Sequence, residues 1–105
     1  MGKRLVRDRA LESWVVPGAE HQVRPVRTGE EHLQLLHAKL IEEAMEVVQA
    51  ETQRDVLKEL ADVLAVLEAI AMLHGIDWDE VAIQVDVREL KSGGFTEGMV
   101  WETSR

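Results

Sequence analysis

The sequence has no cysteine and no tyrosine, only two prolines and one phenylalanine, and 12 basic residues against 20 acidic ones. Without cysteine there is no disulfide framework, no thiolate zinc site and no sulfur nucleophile. The shortage of lysine and arginine leaves a formal net charge of −8 and a pI near 4.9. That balance argues against a duplex nucleic-acid partner, which calls for a basic stripe to neutralise phosphates. A small phosphorylated ligand brought in with a metal ion is still compatible, because a cation inverts the electrostatics of an acidic pocket. Long hydrophobic runs are also missing. The most apolar stretch, Leu60 to Leu73, carries Asp62 and Glu68 and is too short and too charged to span a bilayer. Met1 to Asp8 never reaches the apolar run of a signal peptide. With 105 residues, 46% hydrophobic and 30% charged, the expectation is one globular cytoplasmic domain, 1–105, with no membrane partner.

What is present divides into a basic beginning and an acidic remainder. Lys3, Arg4, Arg7, Arg9, Arg24 and Arg27 place half of the basic residues in the first quarter of the chain. Pro17-Gly18 signals a turn, and Pro25 keeps Arg24 out of helix. Such an arm is either solvated or folded over an acidic helical core. Three helices are predicted after it. Thr28 with Glu31 has the spacing of a capping box, so the first helix starts near residue 29 or 30. Leu33, Leu36, Leu40, Ala44, Val47 and Val48 form its apolar stripe. Thr52 with Asp55 marks a break, then a second helix runs from Gln53 to about His74, with Gly75 as its stop. Asp77 with Glu80 opens a third helix to about Leu90. Ser92-Gly93-Gly94 ends it and turns the chain so that Phe95 packs, and Phe95 to Trp101 reads as an extended tail.

The fold class expected is therefore all-α: a helical bundle of about three main helices with an extended N-terminal arm and C-terminal tail, completed by oligomerisation. The last element follows from the second helix, which is apolar nearly all round, from Val56 and Leu57 to Ile70 and Leu73. A surface helix of a monomer does not carry that pattern, so a homodimer or homotetramer is expected.

Two acidic clusters interrupt these stripes. On the wheel of the first helix Glu43 falls beside Leu36, Leu40 and Val47, Glu46 one step further out, and Glu42 opposite the stripe. On the second helix Glu59 and Asp62 are interleaved with Val66, Ile70 and Leu73. Acid pairs three apart are ordinarily solvated, but ionised carboxylates embedded in an apolar face must neutralise, pair or bind metal. Packing the two faces together would bring four carboxylates to one point. Oxygen-only ligation suits a hard cation, Mg²⁺ with Mn²⁺ as a substitute.

At these residues the chain resembles the all-α nucleoside triphosphate pyrophosphohydrolases of the MazG-like superfamily. Their signature, EExxE followed by ExxD, stands here as Glu42-Glu43-Ala44-Met45-Glu46 and Glu59-Leu60-Ala61-Asp62. Arg4-Leu5-Val6-Arg7-Asp8-Arg9-Ala10, Lys39-Leu40-Ile41-Glu42-Glu43 and Lys91-Ser92-Gly93-Gly94-Phe95 are similar to segments of a small phosphoribosyl-ATP-pyrophosphohydrolase-like branch. Arg4 and Arg9 replace the usual lysines, Ala10 an isoleucine, and Gly98-Met99 a basic pair. The resemblance implies that Glu43, Glu46, Glu59 and Asp62 coordinate Mg²⁺, with Glu42 as an outer or water-orienting acid. It implies cleavage of the α–β phosphate bond of a nucleoside triphosphate, releasing pyrophosphate, by a homo-oligomer.

Such chemistry also needs cations for the outer phosphates. Arg7, Lys39 and Lys91 are the first candidates, Arg4 and Arg9 the weaker ones. Each has an ordinary structural alternative: Arg7 paired with Asp8, Lys39 with Glu43 one turn on, Lys91 at the negative end of the third helix. The histidines show no metal-ligand spacing, and His37 reads as a core or interface residue. Trp14, Trp78 and Trp101 read as packing residues before base-stacking ones. Two rival readings stand beside the enzyme on a nucleoside triphosphate. One is the same chemistry on phosphoribosyl-ATP or on dUTP/dCTP; the other is a non-catalytic helical interaction module.

Overall fold

A computed structural model describes residues 2–9 and 23–104. Ala10, Trp14 and Pro17-Gly18 lie outside the described residues. Among the described residues there are three helices and no strand: α1 (Gly29–Gln49), α2 (Gln53–Leu73) and α3 (Trp78–Ser92). The chain is all-α.

The caps explain the boundaries. Thr28 Oγ1 accepts a hydrogen bond from the Glu31 amide at 2.9 Å, satisfying one of the open donors of the first turn. The reciprocal half of the box is absent, because the Glu31 carboxylate is engaged elsewhere. Thr52 Oγ1 accepts from the Asp55 amide at 3.1 Å and starts α2. The α2 terminus is a Schellman motif: Gly75 takes φ +69°, its amide reaches Met72 O at 3.0 Å, and the Ile76 amide reaches Ala71 O at 2.9 Å. Asp77 and Glu80 make a complete capping box for α3. That helix runs two residues past the expected Leu90. The Gly93 amide still reaches back to Glu89 O at 2.8 Å, so Lys91 and Ser92 lie inside the last turn.

Only residues 50–52 separate α1 from α2, and a connection so short folds one helix back along the other. Glu43 lies six residues before the end of α1 and Glu59 six residues after the start of α2, so the fold-back sets them level. The α1–α2 seam holds the core: Leu36, 2% exposed, with Val66 and Ala71. Ala44, expected in the α1 stripe, is exposed, since a single partner helix covers a narrower arc than the stripe spans.

Among the described helices, α3 touches α2 alone. The radius of gyration is 17.8 Å, against about 13 Å for a compact chain of this length. The accessible surface is 9713 Å², whereas a folded monomer of this mass exposes about 5,900 Å². Leu57, Leu60, Leu64 and Leu67 of α2 and Ile41, Met45 and Val48 of α1 are all exposed. Phe95, expected to pack after the glycine pair, is instead fully exposed. Gly93, at φ +79° and ψ 177°, ends the helical path, and the chain beyond it stays exposed through Trp101. Trp101 is likewise exposed, and His37 is exposed and outside the core.

Candidate metal centre

The level placement of Glu43 and Glu59 brings the two acidic clusters together. Single oxygens of Glu42, Glu43 and Glu46 lie within 4.8 Å of one another, and so do those of Glu43, Glu59 and Asp62. Glu43 belongs to both groups and joins the helices. Exposure rises outward from it: the side chain of Glu43 is 8% exposed, those of Glu59 and Asp62 are 13% and 19%, and that of Glu42 is 34%. The helix wheel anticipated this order, with Glu43 at the seam and Glu42 nearest the solvent.

Four basic side chains hold the cluster. Lys39, largely buried, reaches Glu42 at 3.4 Å and Glu43 at 3.2 Å. Lys58 reaches Glu59 at 3.1 Å and Asp62 at 3.4 Å, and these two carboxylates raise its pKa. From the N-terminal arm, Arg4 pairs with Glu42 at 3.5 Å and Arg7 pairs with Asp62. The arm is anchored further along by Glu31, which receives Lys3 at 2.7 Å, Arg24 at 2.8 Å and the Arg27 amide at 2.8 Å. Arg24, then Lys3, then that amide hold the Glu31 carboxyl well below the ordinary range. Of the two readings of the basic beginning, the described part therefore takes the second: residues 3–7 form a strap over the acidic helices. Arg7 pairs with Asp62 on α2, so the sequence-adjacent Asp8 is not its ion-pair partner.

The electrostatics of the pocket are those of a site short of positive charge. No basic side chain pairs with Glu46 among the described residues. Its hydrogen bonds with Glu59 and then Glu43, together with their negative charge, push its pKa up to about 7. The same contact with Glu46, followed by that with Lys58, holds Glu59 below the ordinary range. Glu46 thus favours its protonated form and Glu59 its ionised one. Glu43 Oε2 and Glu59 Oε2 are buried and have no hydrogen-bond partner, a costly condition for polar atoms removed from water. One proton can serve one of them; a divalent cation would serve both. The donor set, all carboxylate oxygen, fits Mg²⁺ or Mn²⁺.

Lys91 behaves differently. It sits in the last turn of α3, exposed, and makes no ion pair among the described residues. Arg9 is exposed near the end of the described strap. Lys58 is the functional candidate that the sequence reading missed. Its signal was present, since a lysine four residues before Asp62 on a helix is an ion-pair spacing.

A family model described as phosphoribosyl-ATP pyrophosphohydrolase matches residues 16–89, more than two thirds of the chain. The matched region includes Lys39, Lys58 and all five acids of the cluster, and excludes the strap, Lys91 and the tail. No curated protein and no solved structure gives a match.

Proposed function

The chain belongs to the phosphoribosyl-ATP pyrophosphohydrolase family, a family of pyrophosphohydrolases acting on nucleotide-like substrates, and on that premise we propose a specific reaction for it. The chain is a Mg²⁺-dependent hydrolase that cuts a nucleoside triphosphate or related nucleotide between the α and β phosphates. It releases the monophosphate and pyrophosphate, as a cytoplasmic single-domain subunit engaged in nucleotide-pool cleaning. The observation that carries this reading is the pair of buried, unbonded oxygens on Glu43 and Glu59, which call for a cation between two helices.

Glu43, Glu46, Glu59 and Asp62 would hold the ion. When bound, it would neutralise polyphosphate charge and lower the pKa of an attacking water. The chain's own residues supply the rest. Lys39 keeps Glu42 and Glu43 in place from the buried side. Glu42, more solvent-facing than Glu43, Glu59 and Asp62, would orient the water and accept its proton. Arg7, Lys39 and Lys91 are the cations for the phosphates, with unequal freedom: Lys39 is committed to two carboxylates, Arg7 to one, and Lys91 to none among the described residues.

The exposed leucines of α2 and the excess of accessible surface support a homodimer or homotetramer, in which a second copy covers that face. Pyrophosphate release across a panel of standard and modified nucleoside triphosphates, dUTP, dCTP and phosphoribosyl-ATP, with Mg²⁺ present, tests the reaction and ranks its substrates. Release from at least one member, abolished by EDTA, is expected. No turnover on the whole panel by folded protein would leave the non-catalytic helical module as the better reading.

A further inference from the structure

We propose that Lys58 and Arg7 are placeholders for the divalent cation. They hold Asp62 while the site lacks metal, and turn to the phosphates of the ligand when metal and ligand bind together. The inference rests on the metal reading above and extends it to Lys58, a side chain which that reading leaves without a role.

Four of the five acids already have a basic partner: Glu42 has Arg4 and Lys39, Glu43 has Lys39, Glu59 has Lys58, and Asp62 has Lys58 and Arg7. On Asp62 both oxygens are taken, Oδ1 by Arg7 and Oδ2 by Lys58. A divalent ion entering beside Asp62 would meet two like charges within the reach of one carboxylate, so at least one must withdraw.

Burial decides which groups can move. The Lys39 side chain is 16% exposed and bridges two acids of its own helix, so it stays. The Lys58 and Arg7 side chains are 67% and 69% exposed. Exposed ion pairs of this kind are cheap to break, and both side chains are long enough to swing outward. Arg7 belongs to a strap outside the helices, and Lys58 stands at the solvent rim of the cluster.

A released lysine or arginine at that rim lies on the approach of any polyphosphate bound from solvent. Arginine offers a fork to phosphate oxygens and lysine a compact point charge. The cations that oppose metal entry are therefore the ones that favour the anion. Metal and phosphate should then bind with positive coupling, each increasing the affinity for the other by the same factor.

The test measures Mn²⁺ binding to the full chain by electron paramagnetic resonance, then inorganic pyrophosphate binding with Mn²⁺ in excess. Lys58→Gln should bind Mn²⁺ alone about two- to fivefold more tightly, the range exchanged by one exposed ion pair. The same variant should bind pyrophosphate about tenfold more weakly, the scale of one charge-assisted hydrogen bond. Lys58→Arg should restore pyrophosphate binding. Arg7→Gln, altered outside the helices, should show the same opposed changes and guards against a folding defect in the helix variant. A residue that merely braced α2 would move both affinities in one direction. Unchanged or weaker Mn²⁺ binding in both glutamine variants, or unchanged pyrophosphate binding, would overturn the inference while leaving the metal reading intact. A wild-type chain that binds no Mn²⁺ would overturn both.

Discussion

Glu43 and Glu59 face one another across the α1–α2 seam with carboxylate oxygens within 4.8 Å, and each keeps one buried oxygen that no donor reaches. Two helices that pack through apolar side chains would gain nothing by this arrangement alone. The cluster costs stability unless a proton or a cation lies between the carboxylates.

Replacing Glu59 by glutamine removes one of those charges and keeps the shape. In a thermal melt, Mg²⁺ or Mn²⁺ should stabilise the wild type in proportion to RT ln(1 + [L]/Kd), and Glu59→Gln should lose that increment. A variant that is still stabilised to the same extent would show that the ion binds elsewhere.

The raised pKa of Glu46 sets a pH dependence for the metal-free protein. The Glu46 carboxyl is pushed up to about 7, chiefly by its hydrogen bond with Glu59, from the 4.5 of an ordinary glutamate. A raised folded-state pKa contributes stability that is fully present below the unfolded value and lost as pH rises through the folded one. The melting temperature in EDTA should therefore fall between about pH 4.5 and pH 7, and saturating Mg²⁺ should remove that fall. A flat profile in EDTA would contradict the upward shift of Glu46.

Glu31 acts with the opposite sign. Arg24, Lys3 and the Arg27 amide depress its pKa, so its contribution is present above the unfolded value and is lost as pH falls toward the depressed one. Wild type and Glu31→Gln should differ in stability at neutral pH, and the difference should begin to shrink only below about pH 4 and go on shrinking as the solution becomes more acid. Trypsin should also cut after Arg4 and Arg7 faster in the variant, because the strap has lost its anchor. Equal cleavage rates would mean that the acid cluster alone retains the strap.

Leu36 is the most buried apolar side chain of the described residues, 2% exposed. In a core this thin, Leu36→Ala should destabilise the protein by about 3 kcal/mol in urea unfolding, the middle of the range for buried leucine truncations. A loss below about 1 kcal/mol would place the stabilising contacts outside the α1–α2 seam.

The exposed leucines make a prediction about assembly. Light scattering on the wild type should give a dimer or tetramer, and Leu64→Glu, which puts a charge on that face, should shift it toward monomer. A monomeric wild type at high concentration would require another cover for the face.

Element boundaries were readable because caps are local: Thr28, Thr52, Asp77 and Gly75 act on amides and carbonyls within a few residues of themselves. The end of α3 was less so. A serine before two glycines reads as a stop, yet Ser92 stays helical because its turn still bonds back to α3, and only Gly93 changes conformation. The site was legible to the extent that it follows helical periodicity. Glu43 at the seam and Glu42 further out come from the 100° step alone, and so do the pairings of Lys39 and Lys58 within their own helices, whereas the contacts of Arg4 and Arg7 do not. Arg7 reaches Asp62 across a sequence separation of 55, and no local pattern encodes that pairing.

The sequence by itself determined three helices, their starts, and the acidic faces on two of them, since capping and periodicity act over a few residues. Tertiary structure alone decided that Glu43 and Glu59 stand level, that a basic strap closes over them, and that Phe95 and the leucines of α2 are left uncovered. Those outcomes depend on which surfaces meet after the chain folds back at residues 50–52, and on how much apolar area one copy can hide, neither of which is a property of any single segment.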